Sequence, residues 1–137
     1  MKYVLTDHTA DFGLRIFGDN PKDLFANAAF ALSDLVAERE SLTGAERFEI
    51  HAAGEDWPDL MFNWLRELLY LWTGSEFLVM DVNISAVSEY ELTAQARGDF
   101  YDPQKHVIRD EIKAVTYHRL TVKAKENGWE AEIILDV

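Results

Sequence analysis

The sequence predicts an α+β fold in which two helices pack on a largely antiparallel mixed β-sheet, within a single domain over residues 1–137. Its 137 residues, of which 48% are apolar, suit one domain with a substantial core. Two segments have helical periodicity, and several strand-like segments follow the second without an intervening helix. This order favours an α+β fold over a doubly wound one.

The two predicted helices have clear start signals. Asn20 is a typical N-cap and Pro21 a typical first helical residue, and apolar residues then recur at helical spacing as far as Val36. The second helix is predicted to begin near Asp56 and to end at Gly74, because glycine is common just after a helix. Its broad apolar stripe predicts that it lies across the core.

The remaining regular segments are predicted to be strands. The residues Asn127-Gly128 between the last two are a strong hairpin signal. We find no internal repeat, and the segment 98–110 is predicted to be a loop. The predicted strands cover residues 12–17, 47–52, 77–87, 90–97, 120–125 and 129–135.

The chain is strongly acidic, with a formal net charge of −12 from 25 acidic and 13 basic residues. Because the basic residues are scattered along the sequence, we expect no direct nucleic-acid binding, and a cation or a basic protein suits the charge better. The absence of cysteine excludes disulfides and sulfur-ligated zinc. No signal peptide or membrane-spanning run is visible, so we expect a cytoplasmic protein without membrane association.

A first candidate site lies between two predicted strands, in the segment from His8 to Asp11. On a turn, Asp11 could present its carboxylate outward, with His8 and Thr9 as supporting polar groups. The simpler interpretation is a turn that only joins two strands, since Asp and Thr are common in tight turns.

A second candidate is the pair Asp136 and Val137, which continues the last predicted strand. The Asp136 carboxylate and the α-carboxylate of Val137 would repel each other, and a divalent cation would relieve the repulsion. The alternative is a solvated strand end. The histidines lack ligand spacing on any helix, so a metal site would depend on oxygen donors, which favours Ca²⁺ or Mg²⁺.

A third polar segment spans residues 111–118 and includes Lys113 and His118. By itself it predicts an amphipathic strand with Lys113 in solvent and His118 as a structural histidine near the sheet edge, with a catalytic role as the alternative. No phosphate-binding loop, nucleophile elbow, zinc-protease motif or EF-hand loop is present. The sequence therefore contains none of these established catalytic arrangements.

Four segments of the chain form a pattern in a fixed order: Asp7 to Asp11 with Gly13, Leu24 to Val36, Ile112 to His118, and Ile134 to Val137. Together they resemble the archease family, and the similarity runs from end to end. The resemblance implies an α+β fold in which the N-terminal His-Thr-Ala-Asp loop and the C-terminal Asp lie side by side and bind a divalent metal.

Carried onto this sequence, the resemblance makes Asp11 and Asp136 carboxylate ligands and Val137 a ligand through its carbonyl or terminal carboxylate. His8 and Lys113 would be polar neighbours of the metal. The family assists the GTP-dependent RNA ligase that seals 2′,3′-cyclic phosphate and 5′-hydroxyl ends, as in tRNA splicing. The expected function is therefore non-catalytic activation of that ligase, through its guanylylation and repeated turnover, in tRNA splicing or RNA repair.

Two other functions stay open at this stage. The chain could be a chaperone-like modulator of another RNA-processing enzyme, such as a tRNA methyltransferase, acting independently of Asp11 and Asp136. It could also be a metal-dependent phosphohydrolase in which His8 or His118 positions water, and turnover of phosphoesters by the purified protein would reveal that activity.

Overall fold

The computed structural model describes residues 1–7 and 11–137, which form seven β-strands, two α-helices and a short 3-10 helix at Arg39–Ser41. In these two ranges, no helix has both the length and the apolar character needed to cross a membrane. The strands and α-helices are β1 (Tyr3–Asp7), β2 (Asp11–Gly18), α1 (Pro21–Val36), β3 (Glu46–Ala53), α2 (Trp57–Ser75), β4 (Phe77–Val87), β5 (Glu91–Phe100), β6 (Ala114–Lys125) and β7 (Gly128–Asp136).

The strands are divided between two sheets. Four form a sheet in the order β1-β2-β7-β6, three form a sheet in the order β3-β5-β4, and neighbouring strands in both sheets are antiparallel. The predicted α+β class with two helices is thus confirmed. The hairpin between the last two strands is also present, with Glu126 and Asn127 as its loop and Gly128 already paired with Lys125.

The core lies where the helices meet the sheets. Each helix contacts strands of both sheets, so α1 and α2 are covered on more than one side. The α2 residue Trp64 is fully buried, and its indole N–H donates to the carbonyl of Phe25 in α1 at 2.9 Å. This hydrogen bond satisfies the polar atom of a large buried aromatic side chain and fixes the two helices against each other.

Both helices begin as predicted. Asn20 Oδ1 accepts a hydrogen bond from the backbone N–H of Asp23 at 2.8 Å, and Asp56 Oδ1 accepts one from the N–H of Asp59 at 2.9 Å. Each bond satisfies one of the backbone donors that the first helical turn leaves without an intrahelical partner.

The two helix starts also share a glycine at the end of the preceding strand. A Cβ atom on Gly18 would lie 2.4 Å from the backbone nitrogen of Leu24, and one on Gly54 would lie 2.4 Å from that of Leu60. Such separations are far inside van der Waals contact, so glycine is what allows each helix to approach its strand so closely. The two strand–helix junctions therefore share this local geometry, although the sequence shows no internal repeat.

The predicted end of α2 at Gly74 is wrong. The helix continues through Ser75, and the residue with left-handed backbone is Glu76, with φ of 52°. Its N–H donates to the carbonyl of Trp72 at 2.9 Å, which closes the last turn without a glycine.

Candidate functional site

The ends of four strands lie together at one end of the first sheet, and we call this end the tip. β2 begins there at Asp11, β7 ends at Asp136, β6 begins at Ala114 and β1 ends at Asp7. Neighbouring strands run in opposite directions, so the beginning of one lies beside the end of the next. The geometry therefore brings the first and second candidate sites to one place.

At the tip, Asp11 and Asp136 are direct partners in the register of β2 and β7. The next pair inward, Phe12 with Leu135, packs toward the core, whereas Asp11 and Asp136 are exposed. Residues directly opposite each other in such a pair have Cβ atoms about 4.5–5.5 Å apart, and two like charges in that position are destabilising. A cation held between the two carboxylates would remove that repulsion.

The chemistry of these donors fits a hard cation, although two carboxylates do not complete its coordination. Ca²⁺ and Mg²⁺ prefer oxygen ligands and take about six to eight of them. Within residues 1–7 and 11–137, no group of three or more His, Cys, Asp or Glu residues could hold a metal ion. Main-chain oxygens, water molecules or groups of a partner could supply further donors.

The other predicted site residues lie near the tip or outside the described ranges. Lys113 is exposed, its N–H donates to the carbonyl of Asp136 at 2.8 Å, and its side chain borders an open groove of about 590 Å³ beside Trp72. Val137 is half-buried against the core. His8 falls outside the residues that the structure describes.

A smaller hollow of about 120 Å³ adjoins Asp11 and contains a residue that sequence reasoning missed, Arg119. The residues around this hollow come from four strands of the first sheet. They are Thr6, Asp11, Gly13, Leu14, Arg119, Glu132, Ile133 and Ile134.

Arg119 reaches the hollow because β6 bulges out of register with β7. Thr116 pairs with Ile134 and Thr121 pairs with Glu132, so residues 117–120 of β6 face the single intervening residue of β7. Arg119 has a φ of 57°, which is rare for a residue with a Cβ atom. His118 lies in this bulge with an exposed side chain.

A buried pair of hydrogen-bonded side chains, Asp99 and His106, was also missed in the sequence and lies in the second sheet and the loop after β5. The Asp99 carboxylate accepts hydrogen bonds from the backbone N–H groups of Thr43, at 2.7 Å, and Gly44, at 2.6 Å. It also accepts one from His106 Nε2 at 2.9 Å, while His106 Nδ1 accepts from the N–H of Asp102. The latter contact assigns the ring proton to Nε2.

This arrangement holds Asp99 in its ionised form. Burial acts to raise the pKa of Asp99, but hydrogen bonds from the backbone of Thr43 and from His106 outweigh it and lower the pKa well below its usual range. Because the carboxylate bonds to two separate loops, its role is to fasten them to the end of β5.

Comparisons with known proteins extend over almost the whole chain. The model of the archease protein family matches residues 3–137. The protein archease of Methanopyrus kandleri is 35% identical over 140 residues, which cover 100% of both chains. The protein archease of Pyrococcus abyssi is 35% identical over 135 residues, which cover 96% of this chain and 95% of the relative.

Two solved structures have a similar fold. The solution structure of Methanobacterium thermoautotrophicum protein 1598 superposes with a TM-score of 0.81 and 28% identity over 98% of each chain. A Thermotoga maritima crystal structure, described as an archease and possible chaperone, has a TM-score of 0.66 over 100% of this chain and 97% of the other. At 21% identity, that second likeness shows the fold alone. From the family match and the relatives at 35% identity, the chain belongs to the archease family.

Proposed function

We propose that this protein is a metal-binding accessory factor that activates the GTP-dependent RNA-splicing ligase, in tRNA splicing or RNA repair. It promotes guanylylation of the ligase and multiple turnover, and performs no chemistry alone. The observation that carries the proposal is the direct pairing of Asp11 with Asp136 at the tip. Membership of the archease family supports it.

In this proposal, Asp11 and Asp136 hold a divalent cation, Ca²⁺ or Mg²⁺, with an oxygen of Val137 as a further donor. His8 and Lys113 are the polar neighbours of the site. When bound, the cation supplies a positive charge at an edge where two carboxylates face each other. The backbone bond between Lys113 and Asp136 keeps the lysine at the same edge of the sheet.

The exposure of the tip supports a role in a complex with a partner rather than catalysis by this chain alone. Small-molecule sites are usually concave and enclose most of the ligand, whereas Asp11 and Asp136 stand at the exposed end of a sheet. A projecting pair of carboxylates can enter a cleft of another protein. The net charge of −12 suits a basic cleft and disfavours RNA as a direct partner.

The test is ligase guanylylation with GTP and either Mg²⁺ or Ca²⁺, with wild-type protein and the variants Asp11→Asn and Asp136→Asn. We expect each variant to fold normally. Each should reduce the stimulation of ligase guanylylation at least about tenfold, because it removes one charged oxygen donor. Cation affinity measured by calorimetry should fall in parallel. Glu49→Gln is the matched control, since Glu49 is an exposed acidic residue on the other sheet. Full stimulation by both tip variants would exclude the metal tip from the mechanism.

A second candidate function is chaperone-like modulation of another RNA-processing enzyme, such as a tRNA methyltransferase. It is favoured by the description of the Thermotoga maritima structure as a possible chaperone and by exposed aromatic side chains such as Tyr70 and Tyr117. Suppression of aggregation of a methyltransferase by wild type and by Asp11→Asn alike, without ligase stimulation, would favour this function over the first.

A further inference from the structure

Strand β6 places a cationic side chain beside a carboxylate of the tip. Arg119 and Asp11 border the same hollow of about 120 Å³. The hollow also includes Gly13 and Ile134, which pair with each other on the two central strands of the sheet, β2 and β7. Gly13 contributes no side chain to this hollow.

The position of Arg119 has a cost in free energy. Its φ of 57° is a left-handed backbone conformation, in which a Cβ atom crowds the following carbonyl oxygen. Strain of this kind persists only where the surrounding structure prevents relaxation, and it is concentrated at functional sites.

The bulge is anchored on both sides of Arg119. Tyr117 stacks on Phe62 of α2 with ring centroids 3.9 Å apart and planes at 16°. Its hydroxyl donates to Asp59, and that hydrogen bond is the main cause that raises the pKa of Tyr117 to about 12. On the other side, Leu120 packs against the core. The backbone between these anchors, which includes Arg119 at the hollow, is therefore held in place.

Glu132 has a basic partner other than Arg119. Glu132, the other acidic residue at the hollow, already bonds Arg15, with Nη2 and Oε1 3.2 Å apart. The Glu132 carboxylate thus has a basic partner on the neighbouring strand, β2, and does not need one from the bulge.

We propose that Arg119 is a phosphate-binding residue of the tip, whose guanidinium holds a phosphate group of the nucleotide used by the ligase. This inference rests on the proposed function, and it assigns part of the recognition of the nucleotide to this chain. The planar fork of a guanidinium matches two phosphate oxygens at once. Phosphate would otherwise be repelled by the acidic residues around the hollow, so a fixed arginine beside them supplies the attraction that this surface needs.

The test uses Arg119→Gly, which removes the guanidinium and adopts a positive φ without strain. Ligase guanylylation is titrated with GTP in the presence of wild type or variant. We expect Arg119→Gly to raise the half-saturating GTP concentration about tenfold, which is the factor for one lost charged hydrogen bond. Arg119→Lys should raise this concentration by a smaller factor. The thermal unfolding midpoint of Arg119→Gly should be unchanged or higher than that of wild type.

Lys123→Gln is the control, because it removes one positive charge from the same strand outside the bulge, and it should change the GTP dependence by less than about twofold. Wild-type GTP dependence in Arg119→Gly would overturn the inference, and so would a lower unfolding midpoint. Weaker binding of Arg119→Gly to the ligase without GTP would assign the residue to a protein contact and overturn the phosphate role. If wild type itself fails to stimulate the ligase, the proposed function is rejected, and this role of Arg119 with it.

Discussion

At the scale of single residues, Asp99 is a buried charge that fastens two loops to one strand. Its carboxylate receives backbone hydrogen bonds from Thr43 and Gly44 and one from the ring of His106. Hydrogen bonds to a charged group contribute about 1.5–3 kcal/mol each when the alternative is an unsatisfied buried donor. The stability of this region should therefore depend on the ionisation of Asp99.

We predict that Asp99→Asn lowers the free energy of unfolding at pH 7 by about 2–3 kcal/mol, because the amide keeps the shape but loses the charge and one acceptor. Since the folded pKa of Asp99 is lowered, its contribution is complete above the unfolded value of about 4 and is lost as the pH falls below it. Urea unfolding of wild type and variant at several pH values measures the difference, which should narrow below about pH 4. Glu126→Gln, at an exposed carboxylate, should show no such trend. A constant difference across the range would contradict the prediction.

Two glycines of the chain should respond to alanine in opposite directions. Gly18→Ala should lower the free energy of unfolding by about 2 kcal/mol or more, because its Cβ would lie 2.4 Å from the backbone nitrogen of Leu24, which cannot move aside. Gly74→Ala should raise it by about 0.5–1 kcal/mol, since Gly74 lies inside α2 and the added Cβ would meet no atom within 4 Å beyond its chain neighbours and its own helix backbone. Chemical denaturation compares the two directly. A smaller loss at Gly18 than about 0.5 kcal/mol would show that the junction can relax.

At the scale of elements, local chemistry determined which features the sequence could predict. The starts of α1 and α2 were predictable because an N-cap side chain and a nearby proline act within one turn. The repeated junction was not detected, although Asn27 and Asn63 donate in the same way to the preceding strands, to the carbonyls of Phe17 and Ala53, both at 2.7 Å. Its similarity rests on a few spaced positions rather than on a continuous match.

The bulge in β6 had no comparable signal. A positive φ is expected at Gly or Asn, whereas here an arginine adopts it between two residues that are held by tertiary contacts. One anchor, Tyr117, depends on a contact with Phe62 of α2, far away in the chain. Strand periodicity therefore predicted the strand itself but not the three extra residues within it.

At the scale of the whole molecule, the tip depends on the pairing of residues near opposite ends of the chain. Nothing local in the segments around Asp11 and Asp136 indicates that β2 lies beside β7, and the expectation came from the family resemblance. The division of the strands into two sheets likewise depends on how both helices are covered, which strand patterns alone do not specify.

The net charge of the whole molecule gives a kinetic prediction for the proposed complex. With a net charge of −12 and a basic partner cleft, long-range attraction should accelerate association and should be screened by salt. We expect the association rate with the ligase to fall about tenfold when ionic strength rises from about 0.05 M to about 0.5 M, with a smaller change in dissociation. Stopped-flow mixing measures both rates. Asp11→Asn changes the net charge by only one, so it should keep this salt dependence while it loses stimulation. An association rate independent of salt would show that the acidity of the chain does not steer it to the ligase.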